Sequence, residues 1–145
     1  MKFGFVEKRE YKRVIASLIA RYSLLTDVHV RNYHSNPEFV HPVDPDDKHT
    51  QGAATSDLSA GGLALVGPDL FRAGYKVLVT FIIPDHPPEV SAVTEVRWVQ
   101  QFMEGAVPKY RAGLKFLLIR KNDVERLKSY LVELEKISKE QHPPQ

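Results

Sequence analysis

Apolar and polar residues alternate along most of the chain before residue 118, and this pattern predicts a mainly β fold. The first such segment is predicted to form one long, bent strand with Leu18, Ala20, Tyr22 and Leu24 on the same face. The predicted strand segments are 14–33, a hairpin over 54–66, 74–83, 90–99 and 110–117. About six short strands at hairpin spacing, whose edges need protection, favour a closed or nearly closed small barrel.

The end of the chain changes to a helical period, which predicts a helix over 122–141. Asn122 is a suitable N-cap, and Glu125 follows three residues later, as in a capping box. The apolar stripe of this helix consists of Val124, Leu127, Leu131 and Leu134. The last four residues are expected to fray.

The segment 34–52 is rich in proline and aspartate and predicts a long, mobile loop. It contains three histidines, His34, His41 and His49, beside several aspartates. Their spacing fits no zinc pattern, and a calcium loop is excluded because His49 stands where that loop requires glycine. We therefore expect no metal site.

Length and composition describe a single domain over 1–145. The chain has 145 residues, of which 43% are hydrophobic, enough for one packed core. We expect an arm over 1–13, the barrel over 14–121 and the helix after it. The absence of cysteine excludes disulfides and thiol catalysis and fits a cytoplasmic protein. We expect no signal peptide, no membrane insertion and, with a net charge of only +2, no general nucleic-acid surface.

A run of basic residues lies just before the first predicted strand. Residues 7–13 read Glu-Lys-Arg-Glu-Tyr-Lys-Arg and have no apolar stripe to dock them, so we expect a flexible arm. Arg9 and Arg13 are four positions apart, which places them on one side of a helix or of an extended chain. Two guanidinium forks on one side suit phosphates or the O6 and N7 edge of guanine. The alternative is a solvated charged terminus.

A second polar cluster interrupts the alternation at Asp57, Ser59, Gly61 and Gly62. On an extended backbone Asp57 and Ser59 point to one face, while Leu58 points to the other and can enter a core. The two glycines allow a sharp turn and the close approach of a ligand. The cluster predicts either a polar ligand shelf or an ordinary hairpin whose Asp and Ser bond their own backbone. A serine hydrolase is not indicated, because the Gly-x-Ser-x-Gly pattern is absent.

The pair of motifs Arg9-x-x-x-Arg13 and Asp57-x-Ser59-x-x-Gly62 resembles the signature of the PilZ domain family. The strand order, the Tyr-Arg-Ala-Gly-Leu-Lys-Phe strand and the final helix extend this resemblance over nearly the whole chain. The resemblance implies a six-stranded antiparallel β-barrel with a C-terminal α-helix. It also implies a bacterial, non-catalytic receptor for cyclic di-GMP, which is a ligand and not a cofactor.

The same resemblance implies roles for individual residues. Arg9 and Arg13 correspond to the arginines that clamp guanine and phosphate, Asp57 and Ser59 to groups that meet a guanine edge, and Gly62 to the turn residue. Three further candidates are Lys8, Gly61 and Trp98. Lys8 precedes the first arginine, where the family varies, and leaves open whether one or two ligands bind. Trp98 belongs to the alternate set of Val90, Ala92, Thr94 and Val96, which indicates core packing as the alternative.

The resemblance further implies a downstream protein partner that reads the bound state. The C-terminal helix is a candidate surface for that partner or for a homodimer. The alternative function is a PilZ-type interaction module that does not bind the nucleotide. A barrel that binds single-stranded nucleic acid would need a basic groove with exposed aromatics, which the low net charge and the acidic loop disfavour.

Overall fold

In a computed structural model, the part of the chain that the structure describes comprises residues 14–26, 31, 38, 40–68, 71–84 and 89–141. Seven strands lie in these ranges: β1 Val14–Ile15, β2 Ile19–Leu25, β3 Gln51–Ser59, β4 Gly62–Gly67, β5 Lys76–Phe81, β6 Val90–Glu104 and β7 Val107–Ile119. A C-terminal helix follows over Lys121–Gln141. The predicted basic arm lies outside the described residues.

The strands form a closed antiparallel barrel. They pair in the order β3, β2, β5, β6, β7, β4, and the pairing of β4 with β3 closes the ring. Strand β1 is an extra strand that pairs with the end of β3. The predicted six-stranded antiparallel barrel with a C-terminal helix is thus confirmed.

The first predicted strand is interrupted, although both of its parts, β1 and β2, pair with β3. At the break, the side chain of Thr55 adds to the backbone bonds between the segments: its Oγ1 accepts a hydrogen bond from Leu18 N at 2.9 Å and donates one to Ala16 O. Leu24 keeps the face of Ala20 and Tyr22, because β2 pairs with β5 without a register shift, but its side chain is 52% exposed. Strand β2 pairs with β3 only as far as Tyr22, so Leu24 lies beyond the part of the barrel wall that covers the core.

The barrel is filled by side chains from all six of its strands and closed by the helix. Fully buried members include Leu58, Leu65, Val79, Phe81, Val90 and Val96. From the helix, Leu127 and Tyr130 enter the same core. The helix begins at Lys121, and Val124 N donates to Arg120 O at 3.0 Å, so Asn122 lies inside the first turn and the prediction that it is the N-cap is wrong. No helix among the described residues is long and apolar enough to span a membrane.

Three unmatched residues shift the strand register: Ser56 in β3, Arg97 in β6 and Leu117 in β7. One extra residue turns the following side chains to the opposite face of the sheet. In β6, Val96 and Val99 consequently both contact the core, and the intervening Trp98 does not belong to it. The strict alternation predicted across 90–99 therefore fails at Arg97.

Part of the loop predicted over 34–52 packs against the outside of the barrel. Val40 and Val43 are buried with Leu78 and Val93 in a second apolar cluster. The backbone N of Val43 donates to Thr80 Oγ1 at 2.8 Å, and Arg21 Nε donates to Val43 O at 2.6 Å. The prediction of a mobile loop is wrong for 40–43, because apolar burial and buried hydrogen bonds fix this segment. The loop also ends earlier than predicted, at the start of β3.

Candidate functional site

A cavity of about 230 Å³ opens on the outer face of the barrel, where the β3–β4 hairpin lies beside β6 and β7. Every predicted site residue within the described ranges lines it, namely Asp57, Ser59, Gly61, Gly62 and Trp98. Two cationic residues, Arg97 and Lys115, complete its polar lining. The structure thus brings together predicted site residues that are up to 41 positions apart in the chain, as with Asp57 and Trp98.

The space around residue 62 leaves no room for a side chain, so glycine is required there. An added Cβ would lie 2.1 Å from the backbone O of Leu114 and 3.2 Å from its C atom, on the neighbouring strand β7. The φ angle of Gly62 is not positive, so the turn does not depend on a left-handed backbone angle at this residue. The glycine instead lets β4 and β7 approach closely at the edge of the cavity.

Ser59 stabilises the turn that ends the hairpin. Its Oγ accepts a hydrogen bond from Gly61 N at 3.1 Å and donates one to Gly62 O at 3.3 Å. The residue is 8% exposed, and these local bonds are those expected of a serine in an ordinary turn. The hairpin interpretation of the sequence therefore holds for Ser59, while the same residue also lines the cavity.

Asp57 is paired with Arg111, a residue that the sequence analysis did not select. Arg111 Nη2 lies 2.6 Å from Asp57 Oδ2, and Arg111 Nε donates to Ser56 Oγ at 2.8 Å. Asp57 and Arg111 come together because β3 and β7 both pair with β4. They are 54 positions apart, so no local pattern indicates the contact.

Trp98 lies on the outer face of the barrel, and the expectation that it packs in the core is wrong. Its indole covers Gly113 so closely that a Cβ on that residue would lie 2.1 Å from Trp98 Nε1. The Arg111 guanidinium lies over the ring, with Cζ 5.4 Å from the ring centroid. The physical reason is the extra residue at Arg97, which turns Trp98 outward.

Positive charge surrounds one side of the cavity. Arg97 and Lys76 both contact Glu95, at 3.3 and 3.1 Å. The hydrogen bond from Lys76, together with the charges of Arg97 and Lys115, lowers the pKa of Glu95 despite its partial desolvation. The ionised carboxylate is paired with both cations, of which Arg97 lines the cavity, while Lys115 adds a further positive charge to the lining.

The sequence model of the PilZ domain family matches residues 7–133, which is most of the chain. The chain belongs to the PilZ domain family. No curated protein sequence is similar enough to count as a relative of this PilZ domain. Three solved structures that resemble it are 13% to 18% identical and support the fold alone.

The three structures share the fold of this chain over most of its length. The PilZ domain of YcgR from Escherichia coli, solved with c-di-GMP, has a TM-score of 0.62 at 15% identity and covers 93% of this chain and 97% of that one. MrkH of K. pneumonia in its apo state has a TM-score of 0.65 at 13% identity, covering 93% and 54%. The Bacillus subtilis inhibitor of motility MotI has a TM-score of 0.61 at 18% identity, covering 92% and 53%. This PilZ domain therefore spans about half the length of MotI and MrkH.

Three predicted site residues of the PilZ domain, Lys8, Arg9 and Arg13, lie outside the described residues. Within the described ranges, no group of three or more His, Asp or Glu side chains is placed to hold a metal ion. The described site is therefore a cavity lined by one carboxylate, one indole and two cations, and it has the chemistry of a site for an anionic, aromatic ligand.

Replacing Gly113 with alanine should move the indole of Trp98. The new Cβ would lie 2.1, 2.3 and 2.8 Å from three atoms of the ring, so the side chain must shift, at a cost of about 1 kcal/mol. Because Trp98 is the single tryptophan of the chain, its fluorescence emission should change. Gly67→Ala is the control, since its Cβ would find the nearest atom at an ordinary 3.6 Å. An emission spectrum of Gly113→Ala identical to that of the wild type would contradict the placement of Trp98.

Proposed function

We propose that this PilZ domain is a receptor for cyclic di-GMP, which binds between the barrel cavity and the N-terminal arm. The observation that carries the proposal is the meeting of Asp57, Ser59 and Gly62 with Trp98 and two cations in one cavity. Family membership supports the same ligand, since solved PilZ structures of YcgR and MrkH contain c-di-GMP. The ligand is bound and not transformed, so the domain acts as a receptor and not as an enzyme.

The chemistry of the cavity matches the two kinds of group in the ligand. Guanine presents N1 and N2 donors, for which the carboxylate of Asp57 is an acceptor. The two phosphates need cations, and Arg97 and Lys115 lie at the cavity. The arginines of the arm supply the paired hydrogen bonds that phosphates and the O6 and N7 edge of guanine accept.

The connection of the arm to the barrel supports the same site. In β1, Val14 pairs with Leu58, which stands between Asp57 and Ser59. Arg13 is bonded to Val14, so its Cα is about 3.8 Å from that of Val14. Arg9 is five residues from Val14, and five residues of fully extended chain span at most about 18 Å. The length of the connecting chain therefore permits both arginines to reach the cavity.

Binding becomes a signal when the arm is ordered across the barrel. The ligand would join the arm to the cavity wall, and the newly fixed arm with the adjacent barrel face would form the surface that a downstream protein reads. Part of the contact energy is spent on ordering the arm, so we expect moderate affinity. We place this receptor in the cytoplasm of a bacterial cell, where a nucleotide second messenger is available to it.

Isothermal titration calorimetry with cyclic di-GMP and cyclic di-AMP tests the proposal. We expect binding of the guanine dinucleotide and at least tenfold weaker binding of the adenine one, about 1.4 kcal/mol. Adenine presents an acceptor at N1 where guanine presents a donor, and it faces the carboxylate of Asp57 unfavourably. GTP serves as the control for a non-specific response to guanine and phosphate. Equal affinity for both dinucleotides, or no heat with either, would overturn the proposal.

One observation favours the alternative of a PilZ-type interaction module without nucleotide. The carboxylate of Asp57 is already paired with Arg111, and the hydroxyl of Ser59 is already bonded within its turn. Polar groups that already have partners gain less binding free energy from a ligand than unpaired polar groups do. Absence of heat in the titration, with an intact fold, would favour this alternative.

A further inference from the structure

We infer that Arg111 is a positioning residue of the nucleotide site, which holds the carboxylate of Asp57 and the indole of Trp98 in place before the ligand arrives. This inference rests on the proposed function and extends it to a residue outside both sequence motifs. Its basis is a set of contacts among side chains of the barrel, which are open to test without any nucleotide.

Arg111 contacts three groups in different directions. Its Nη2 lies 2.6 Å from Asp57 Oδ2, its Nε donates to Ser56 Oγ at 2.8 Å, and its Cζ lies 5.4 Å from the Trp98 ring centroid. A planar guanidinium makes such contacts from one rigid group, which the single ammonium of a lysine cannot do. Ser56 is the unmatched residue of β3, so the register shift provides one of the three contacts. The arginine is therefore held on both the hairpin and the β6 side of the cavity.

The pairing with Arg111 determines which oxygen of Asp57 is available to a ligand. Oδ2 accepts from Arg111, and within the described part of the chain Oδ1 has no hydrogen-bond partner. The Asp57 side chain is 13% exposed and that of Arg111 is 35% exposed, so the carboxylate is the more enclosed partner. A fixed carboxylate with one free oxygen is oriented to accept from a guanine edge without a further loss of side-chain freedom.

The same arginine restrains Trp98. The indole packs against Gly113, and the Arg111 guanidinium lies over the ring in a cation–π arrangement. Loss of the guanidinium would leave that part of the ring open to solvent. Loss of Arg111 should therefore increase the solvent accessibility of Trp98, even when no ligand is added.

Binding of cyclic di-GMP and of cyclic di-AMP to Arg111→Met tests the positioning role. We expect the affinity for the guanine dinucleotide to fall about tenfold or more, with a smaller loss for the adenine dinucleotide, because the oriented carboxylate distinguishes the two bases. Arg111→Lys should lie between the wild type and Arg111→Met, since it keeps the charge without the fork. A purely structural role would weaken both dinucleotides equally.

The matched control is Arg126→Met. Arg126 pairs with Asp123 at 2.7 Å on the C-terminal helix, and the exposed fractions of this pair are 22% and 10%, close to those of Arg111 and Asp57. This control should lose a similar ion pair and leave both affinities unchanged. Unchanged affinity and selectivity in Arg111→Met, with binding by the wild type, would overturn the inference.

Quenching of the tryptophan by acrylamide, a neutral probe, tests the ligand-free part. Quenching should increase in Arg111→Met and, to a smaller extent, in Asp57→Asn, which weakens the anchor of the arginine. Arg126→Met should match the wild type. Equal quenching in all variants would show that Arg111 does not restrain the indole of Trp98. Failure of the wild type to bind either dinucleotide would overturn the proposed function instead, and the quenching result would still decide whether Arg111 positions Asp57 and Trp98.

Discussion

Replacing Gly62 with alanine should destabilise the free protein by about 3 kcal/mol, which is a large fraction of the stability of a small domain. The added Cβ would lie 2.1 Å from Leu114 O, and the next two atoms, at 3.2 Å, also belong to the backbone of β7. A side chain could rotate away, but a strand must separate from its neighbour. Chemical denaturation, followed by circular dichroism, measures the effect as a lower unfolding midpoint.

Gly52→Ala is the matched control for this prediction. Gly52 also lies in a barrel strand, β3, and an added Cβ there would find no atom within 4 Å. The control should unfold within about 0.5 kcal/mol of the wild type. A Gly62→Ala variant that unfolds at the wild-type midpoint would mean that β4 and β7 are not in the close contact described above.

Replacing Arg9 or Arg13 with alanine should weaken binding of cyclic di-GMP by about 2 to 4 kcal/mol each. That is a loss of roughly thirtyfold or more in affinity. Each substitution removes a charge-assisted contact and leaves a ligand group unpaired in the closed site. Calorimetry gives the affinity, and the melting temperature without ligand should stay within about 1 °C because neither side chain is proposed to support the core.

Lys128→Ala controls for the loss of one positive charge, because Lys128 is an exposed residue of the C-terminal helix. This variant should bind cyclic di-GMP normally.

Hydrogen exchange of residues 5–14 then tests the ordering of the arm. Exchange should slow on binding in the wild type and should slow less in the Arg13 variant. Normal affinity of both arginine variants would remove the arm from the site. Strong protection before ligand is added would argue against ordering, even if the nucleotide binds.

The regular parts of the fold were accessible from the sequence. Alternating segments predicted strands that the structure confirms within a few residues, as for β5 and β7, and the helical stripe predicted the C-terminal helix to within one residue of its start. The closed barrel was harder to predict from the sequence, because alternation indicates where strands occur but not which strands pair with each other. The barrel came from strand spacing together with the resemblance carried by the two motifs.

Three differences from the sequence-based predictions share one cause, which is that each depends on a partner distant in the chain. Core packing stands as the alternative for Trp98 in the sequence because periodicity does not reveal an unmatched residue such as Arg97. Arg111 was passed over because its partner Asp57 is 54 positions away. Val40 and Val43 lie among prolines and aspartates, and only the strands beneath them supply the apolar contacts that fix the loop. Local patterns predict elements, whereas these contacts arise when elements pack.

The unmatched Arg97 makes the length of β6 as important as its composition. Beyond it, β6 pairs with β7 from Trp98 to Glu104, so the loss of a single residue would exchange the inward and outward positions along this whole stretch. Trp98 would be turned into the barrel and Val99 toward the solvent, although no remaining residue had changed type. In comparisons among PilZ sequences that share this site, a gap at Arg97 would therefore be a more serious difference than most substitutions in the same strand.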